Sequence, residues 1–471
     1  MFLLILHIYF VSFLDKPEKS APQLSPRAVA QRAQWGIQTD GMDYPVSASY
    51  QNKLRKMGVK IHHVSRWFNG VTCEMDSATA ASVAKESYVT GVEMTREENK
   101  GPSKISKQKR ALLGGSRFSR LTGERSGTEE QLAAYNLTPL HEAGFEGQGI
   151  LMAVCDGAFS NANTLSCFRQ KALDLGSFDF TDDSYSFYGY TGAHGTECLS
   201  AISGILPDFQ GAATQAQYYL MRAEEQDTES PKEMDNLVAA LEKADSLGVN
   251  VFSVSLGYYL FDNDAWNLDK ATDLDGQTTR CSRAATIAAR KGMLVCVSAG
   301  NEGNKPWRTI CAPADADSIL TVGAVATDST AGVFTSYGPS SDGRVKPEVC
   351  AVGVQTSLIY PDNTVVSNNG TSFATPLIAG LAASLWSALP TENAMQIRER
   401  IIRSAHLYPS SDANNRLGYG IPNAWTAYTM SLPTDISSQK SAIRSQKILR
   451  NGEIVIQRNG REYTLIGIQK R

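Results

Sequence analysis

An acid, a base, a side-chain amide and a hydroxyl stand in order along this sequence where small residues cluster: Asp156, His194, Asn301 and Ser372. Together they could carry out nucleophilic acyl transfer. A serine hydroxyl is a weak nucleophile at neutral pH until a base takes its proton. The base in turn needs an acid to fix its tautomer and stabilise the imidazolium. An amide can add a donor to a forming oxyanion. Ser372 has a further qualification. It lies in Asn369-Gly370-Thr371-Ser372-Phe373-Ala374-Thr375-Pro376, a small-residue turn leading into an apolar run over 373–389. Leu377, Leu381 and Leu385 recur there at i, i+4 and i+8, the period of a helix. A serine at a helix start has an unpaired backbone N–H to offer an oxyanion, and the helix dipole favours negative charge there. Pro376 reads as part of the tolerant first turn.

Each residue alone has an ordinary structural reading. Gly-Thr-Ser ahead of a helix is usually an N-cap. The 373–389 run approaches the ~20 residues of a membrane span, but Thr375, Pro376, Ser384 and Ser387 favour a helix buried in a large core. Asp156 ends an apolar strand at 150–155, where a buried acid needs a partner or a task. His194 lies in Gly192-Ala193-His194-Gly195 ahead of a helical stretch at 198–202, with the flanking glycines read as room for a substrate. Asn301 follows the strand 294–298 through Ala299-Gly300. Of six histidines, only His194 occupies such a slot.

The elements that must position these residues follow from periodicity. Over 130–427, apolar strands at 150–155, 217–221, 249–255, 294–298 and 319–325 alternate with helices. One helix spans 234–246, with Met234, Leu237, Val238 and Leu241 on one face; another spans 280–291 and ends at Gly292. Uninterrupted apolar strands between helices predict a parallel sheet covered on both faces, with functional residues at the strands' carboxyl ends. Residues 9–93 read differently: strand, helix, strand, strand, helix, strand, a small split βαβ sandwich. Its strands fall at 8–13, 59–64, 71–75 and 88–92 and its helices at 48–57 and 77–85, with a further helix opened by Ser25-Pro26. Asn69-Gly70 turns between the middle strands, and His62 and His63 read as surface or edge residues. Residues 97–127 are basic and poor in aliphatic periodicity, the composition of an exposed, easily nicked linker. Near the end, β-prone runs at 453–458 and 461–466 flank Asn459-Gly460 as a hairpin.

Composition narrows the function classes. With 471 residues, 42% of them hydrophobic, the chain can build two or three globular domains. A net charge of −3 gives no reason to expect nucleic acid. The 8 cysteines are scattered, without metal-ligand spacing, and read as small buried residues. The apolar start, residues 1–14, lacks a basic n-region and a cleavage site, and reads as a truncated signal running into the first strand.

The motifs Val154-Cys155-Asp156, His194-Gly195-Thr196, Ser255-Leu256-Gly257, Ala299-Gly300-Asn301 and Gly370-Thr371-Ser372-Phe373-Ala374-Thr375-Pro376 resemble, in order, those of the subtilases, the subtilisin-like serine proteases. The resemblance covers about 130–427. It implies an α/β fold, the subtilisin-like three-layer architecture with a parallel sheet, preceded by a ferredoxin-like α+β propeptide domain. It assigns Asp156 as orienting acid, His194 as general base and acid, Ser372 as nucleophile and Asn301 as oxyanion donor. Ser255, Leu256, Gly257 and Gly300 would bind an extended peptide substrate. One departure is Asp156-Gly157-Ala158, where the family usually has a small residue before the glycine.

The implied organisation is a signal remnant plus inhibitor-like propeptide at 1–95, a linker at 96–129, a catalytic domain at 130–430 and a tail at 431–471. Residues 447–471 are similar to the sorting tails of type IX secretion substrates. The chain as a whole resembles secreted subtilases of Gram-negative bacteria, which implies a secreted or cell-surface enzyme. Its partners would be protein or peptide substrates and its own N-terminal domain as inhibitor, with no nucleic acid, no transmembrane helix and no cofactor. Calcium occurs in many subtilases, but no acidic cluster here is distinctive enough to assign it. Cleavage is expected close after Glu93, with trimming at Lys109-Arg110.

Two rivals are weaker. Gly370-Thr371-Ser372-Phe373-Ala374 nearly fits the G-x-S-x-G elbow of α/β-hydrolases, but that fold places its acid and histidine after the serine, and only His406 follows. A catalytically silent binding protein on the subtilase fold would have no need of the intact set Asp156, His194, Asn301 and Ser372.

Overall fold

A computed structural model describes residues 5–17, 20–97, 119–120, 128–169, 175–181, 185–189, 192–409, 414–432, 446–450, 453–458 and 461–463. Two compact units emerge, Met1–Thr429 and Met430–Arg471. In the second, strands Gln446–Arg450, Glu453–Arg458 and Arg461–Tyr463 form an antiparallel sheet in chain order. The hairpin expected there forms between the last two strands, and its Asn459-Gly460 turn lies outside the described residues.

The first unit opens with a four-stranded antiparallel sheet of β1 (Leu6–Phe13), β2 (Lys60–Ser65), β3 (Gly70–Asp76) and β4 (Val89–Glu97), in the order β2-β3-β1-β4. This is the ferredoxin-like order. The apolar start of the chain supplies its central strand: Ile8, Tyr9 and Val11 are buried. α2 (Ala48–Lys56) and α3 (Ser77–Val83) cover the sheet, with Leu54 and Val83 packed on Val11, Val71 and Cys73. Asn69 takes a left-handed φ of 48° at the β2–β3 turn, as the Asn-Gly signal predicts.

The helix opened by Ser25-Pro26, α1 (Pro26–Gln34), is not part of this sandwich. It forms as expected, with Ser25 Oγ accepting from Ala28 N, but one of the two salt bridges of Arg32 runs to Asp245, far along the chain. The surface reading of His63 is also corrected. Its Nε2 lies 2.9 Å from Phe180 O and 3.0 Å from Asn236 Oδ1, between the sandwich and the rest of the unit. The final strand runs to Glu97, four residues beyond Glu93, after which the cut was expected. Glu93 itself pairs with Phe10 on the edge strand β4. The trimming site Lys109-Arg110 lies outside the described residues. Within the expected linker, β5 (Ser119–Arg120) pairs with a later strand, and the remainder of 98–127 lies outside the description.

The larger part of the unit is built on a seven-stranded sheet. Its strands are β6 (Leu151–Asp156), β7 (Ser177–Asp179), β10 (Gln217–Arg222), β11 (Val251–Val254), β12 (Leu294–Ser298), β13 (Leu320–Val325) and β14 (Val349–Val352). β8 (Ile205–Leu206) and β9 (Phe209–Gln210) make a small hairpin apart from it. The sheet order is β14-β13-β12-β11-β6-β10-β7, and every described pairing is parallel. The central strands β10, β6, β11 and β12 feed both faces. β6 sends Met152 and Val154 into one core, and Leu151, Ala153 and Cys155 into the other.

Short helices α4 (Glu129–Ala133) and α5 (Thr138–Glu142) lead into β6. The first core holds α6 (His194–Ser203) and the long α9 (Thr371–Ala388); the second holds α7 (Pro231–Leu247) and α8 (Arg280–Arg290). The face Met234, Leu237, Val238 and Leu241 is buried as its spacing predicts. Strands β15 (Thr356–Ile359) and β16 (Val365–Asn368) lead into α9, and α10 (Ala394–Arg403) and α11 (Ala424–Thr429) follow it. The eight cysteines are buried and none is in a disulfide.

The apolar run ending at 389 is therefore a core helix, with Leu377, Leu381 and Leu385 wholly buried. Among the described residues no helix is long and apolar enough to cross a membrane. Leu381→Ala, made in a Ser372→Ala background to avoid self-digestion, should lower unfolding free energy by about 2–5 kcal/mol, the cost of a cavity in a tight core. Urea denaturation measures this; a loss under about 1 kcal/mol would mean that the core collapses around the site.

Candidate active site

A parallel sheet brings the carboxyl ends of its strands to one edge. Asp156 is the last residue of β6, Ser255-Leu256-Gly257 follow β11, and Ala299-Gly300-Asn301 follow β12. Two helices enter from the first core: His194 is the first residue of α6, and Ser372 the second of α9. Residues as far as 216 positions apart in the chain thus meet at one edge.

Asp156 is fully buried, and its charge is compensated locally. His194 Nδ1 lies 2.8 Å from its Oδ1 and 3.0 Å from its Oδ2, and Gly157 N donates to Oδ1 at 2.8 Å. Nδ1 therefore carries a proton, which leaves Nε2 as the acceptor of a neutral ring. Burial works against the imidazolium, but the Asp156 carboxylate outweighs it and raises the His194 pKa well above the ordinary value. Gly195 has a purpose that was not read in the sequence. A Cβ there would stand 2.2 Å from Ala158 O and 3.0 Å from Asp156 Cβ. The glycine lets α6 seat against the turn after the acid. The Gly157-Ala158 departure thus places the Ala158 carbonyl directly against the helix that carries His194.

Pro376 is the sixth residue of α9, one turn beyond the first turn where it was expected. Without an N–H it cannot bond the carbonyl four residues back, that of Ser372. That carbonyl instead accepts from Ser255 Oγ at 2.8 Å and from Cys198 Sγ at 3.3 Å. The proline thus turns a helix-internal acceptor into a tie between the serine and the loop after β11. The Ser372 hydroxyl lies 3.3 Å from Ser255 O, to which it donates, and no hydrogen bond joins it to His194 among the described residues. The two residues are nonetheless neighbours. Cys198 Sγ lies 3.9 Å from His194 Nδ1, and the His194 and Phe373 rings are 5.4 Å apart.

Asn301 is oriented by the turn before Ser372. Its Oδ1 accepts from Thr371 N at 2.9 Å and from Thr371 Oγ1 at 3.0 Å, so the amide's N–H groups face away from those donors. Gly300 has φ +109°, and a Cβ there would meet Cys311 Sγ and Ser336 Oγ at 2.9 Å; only glycine fits.

Three residues of the site were missed in the sequence. Thr371 fixes the amide and was legible only as part of a small-residue turn. Cys198 lies one helical turn after His194, an i, i+4 spacing that predicts contact once α6 is known to start at His194. Glu197 is buried, bonded to Asn368 Nδ2 at 3.1 Å, and burial raises its pKa to about 7. A buried acidic cluster, Glu224, Glu229 and Glu233, could hold a cation, but its oxygens already serve the protein. Glu233 accepts from Glu225 N at 2.8 Å and Ser230 N at 3.1 Å, and Glu224 from the Tyr258 hydroxyl at 3.1 Å.

Comparison with known proteins identifies the family. Residues 147–420 match the Subtilase family, and residues 8–111 match the peptidase S8 propeptide domain of Bacteroidota. Subtilisin DY of Bacillus licheniformis is 28% identical over 265 residues, 56% of this chain and 85% of that protein. Subtilisin Savinase of Lederbergia lenta is 27% identical over 289 residues, 61% of this chain and 93% of its own length. Among solved structures, MycP1 from Mycobacterium smegmatis shares the fold, with a TM-score of 0.52 at 20% identity over 72% of this chain and 90% of that one. The chain belongs to the subtilase family and is a serine-type endopeptidase with a propeptide domain ahead of its enzyme fold.

Proposed function

We propose that this chain is a secreted zymogen whose peptide-bond hydrolysis runs through Asp156, His194 and Ser372. The observation that carries the reading is the buried Asp156–His194 pair, 2.8 Å apart at the sheet edge that also holds Ser372 and Asn301. Neutral His194 takes the Ser372 proton as the hydroxyl attacks the scissile carbonyl, and Asp156 holds the imidazolium that results. The hydroxyl must first rotate away from Ser255 O toward Nε2, an adjustment common when substrate is absent. The oxyanion is met by the Ser372 N–H and the Asn301 amide. His194 then hands its proton to the leaving amine, and water releases the acyl-enzyme. Ser255, Leu256, Gly257 and Gly300 line an extended substrate.

The N-terminal domain, residues 1–95 with the connecting 96–129, is read as an intramolecular inhibitor of the enzyme domain 130–430. Its support is a polar, buried contact with α7 and α8. Glu242 of α7 accepts from Ser65 Oγ at 2.5 Å, Arg66 N at 2.9 Å and Trp67 N at 3.2 Å. Arg280 of α8 bonds Asp235 at 2.7 Å and Glu93 at 2.5 Å, and its guanidinium stacks on Phe10 at 4.5 Å. Arg96, near the end of β4, lies 3.7 Å from Glu225, just past the strand that pairs with β6. β4 thus leads the chain toward the edge where Asp156 lies. Residues 431–471 are read as a sorting tail. Export across a Gram-negative envelope accords with the Bacteroidota propeptide match and the subtilisin relatives.

Ser372→Ala should reduce hydrolysis of a peptide substrate to about 10³–10⁴ over water, the residue left by oxyanion stabilisation and binding. Activity near that of the parent would remove Ser372 from the nucleophile's role. The same substitution tests the zymogen. N-terminal sequencing should find the parent cut after Glu97 and the variant intact, whereas identical processing of both would assign the cut to another protease.

Asn301→Ala should lower kcat by about 10²–10³ with KM little changed, the magnitude known for loss of one such donor in a subtilisin. A large rise in KM at constant kcat would make Asn301 a binding residue.

The pH profile tests the base. Activity needs neutral His194, and its pKa is raised by Asp156 against the effect of burial. The acid limb of kcat/KM should therefore lie above the ordinary imidazole value of about 6.5. Asp156→Asn removes the anion, so the limb of its residual activity should move to lower pH. An acid limb unmoved by this substitution would show that Asp156 does not tune His194.

A further inference from the structure

Residues 23–43 leave the N-terminal sandwich after β1 and return to it at α2, and a ferredoxin-like layer has no need of them. They form an arm along the opposite side of the enzyme fold from the candidate active site. Ser25 N donates to Ser246 O in the last turn of α7. Arg27 donates to Gly248 O at 3.1 Å, Gly149 O at 3.2 Å and Asn250 Oδ1 at 2.7 Å. Gly149 precedes β6 and Asn250 precedes β11, so the arm lies at the amino ends of the strands whose carboxyl ends carry Asp156 and Ser255.

The contact is extensive in kind as well as place. Arg32, 4% exposed, bridges Asp43 and Asp245 at 2.6 Å each. Lys291, just after α8, bonds Asp40 at 2.7 Å and Asp43 at 2.9 Å. Trp35 stacks on Trp386 of α9 with centroids 5.4 Å apart, and Gln34 donates to Pro390 O.

Two helix-ending glycines form the seats of the arm. Gly248 ends α7 with φ +76°, and a Cβ there would stand 2.8 Å from Ala28 N and 3.0 Å from Ala28 Cα. Gly292 follows α8 with φ +96°, and a Cβ there would stand 2.8 Å from Ile37 and 3.2 Å from Trp35. Both positions suit glycine for the left-handed turn, and both also leave room that the arm fills. A cleft of about 600 Å³, lined by residues including Pro22, His62, Phe180 and Lys243, lies between the start of the arm and the sandwich. The sandwich and the arm thus meet the enzyme fold on adjoining surfaces that share Asp245, which takes Arg66 from one and Arg32 from the other.

We propose that the ends of α7, α8 and α9 form a second docking surface, whose partner is this chain's own arm, and that it keeps the N-terminal domain bound after the connecting chain is cut. The proposal rests on the reading of that domain as a detachable inhibitor. A substrate entering the active site can compete with contacts there but not with contacts at the far end of the sheet. Two linked contacts hold more tightly than either alone, by 10²–10⁴-fold when both can engage at once. Release of the cut domain then requires both to open together.

The test uses the full chain carrying Ser372→Ala, nicked briefly with trypsin in the basic segment 98–127, and measures retention of the N-terminal fragment by gel filtration and dilution. Gly248→Asn is the informative variant. Asparagine tolerates a left-handed turn but carries the Cβ that meets Ala28, so it should disturb the arm and spare α7. Trp35→Ala removes the stack from the other partner, and Arg27→Gln is a milder replacement should Trp35→Ala fail to fold. The nicked parent should retain its fragment, and each variant should hold it about 10²-fold more weakly. Equal retention by parent and variants would overturn the anchor. The inhibitor reading fails separately: a nicked chain with Ser372 intact that is fully active while still holding its fragment would reject inhibition and leave the anchor standing.

Discussion

A carboxylate buried at the end of a central strand governs this structure. Asp156 lies in β6, flanked by β11 and β10, where an uncompensated charge would cost several kcal/mol. Its compensation comes from two sources: the N–H of the neighbouring Gly157, and the His194 ring, which α6 carries from elsewhere in the chain and which Gly195 lets approach. The carboxylate also makes His194 a stronger base than an exposed histidine, so one arrangement serves both the stability of the sheet edge and the chemistry proposed for it.

Ser372 depends on a second local constraint. A proline in the second turn of α9 leaves one helical carbonyl without its usual donor, and that carbonyl belongs to Ser372. Ser255 and Cys198 take it, which ties the helix start to the loop after β11 and to the helix of His194. The serine is thus placed through its backbone, and its hydroxyl keeps rotational freedom. A side chain locked by several bonds of its own could not turn from Ser255 O toward a base.

Much of this was legible in the sequence, where period and order are local. The Leu377–Leu381–Leu385 spacing identified α9, and the apolar strands identified the parallel sheet. The order of Asp156, His194, Asn301 and Ser372 identified the family. Misreadings arose where the cause lies across the fold. Gly195 was read only as making space for substrate because its neighbour, Ala158 O, belongs to another element. Pro376 was read into the first turn because the apolar run begins at Phe373, whereas the helix itself begins two residues earlier, at Thr371. The helix at Pro26–Gln34 was recognised and capped as expected, yet nothing in its pattern distinguishes packing on its own sandwich from packing on α7. His63 does lie on the edge strand β2, but that its outer side meets the enzyme fold was not legible, because Asn236 and Phe180 are distant in sequence.

The chemistry of the interdomain contact bears on the proposed release of the N-terminal domain. Interfaces meant to be permanent are rich in apolar surface, and separating them would leave the enzyme with an exposed hydrophobic patch. Here the contact is rich in paired charges: Arg66 with Glu242 and Asp245, Arg32 with Asp245, Glu93 with Arg280, and Lys291 with Asp40 and Asp43. The buried ones, Arg66–Asp245 and Arg32–Asp245, demand close geometry, because a buried charge without its partner is costly. Once separated, each side chain regains water, so much of the Coulomb energy lost is returned as hydration. Such a surface can be selective for its own N-terminal domain and still be left soluble when that domain departs. The apolar share of the contact is concentrated in a few aromatic side chains. Trp67 packs into the second core, Phe68 lies under Arg283 at 4.7 Å, and Trp35 covers Trp386 from the arm. Those aromatics supply attraction that does not depend on charge, while the ion pairs set register, and the division explains how one contact can be both specific and reversible.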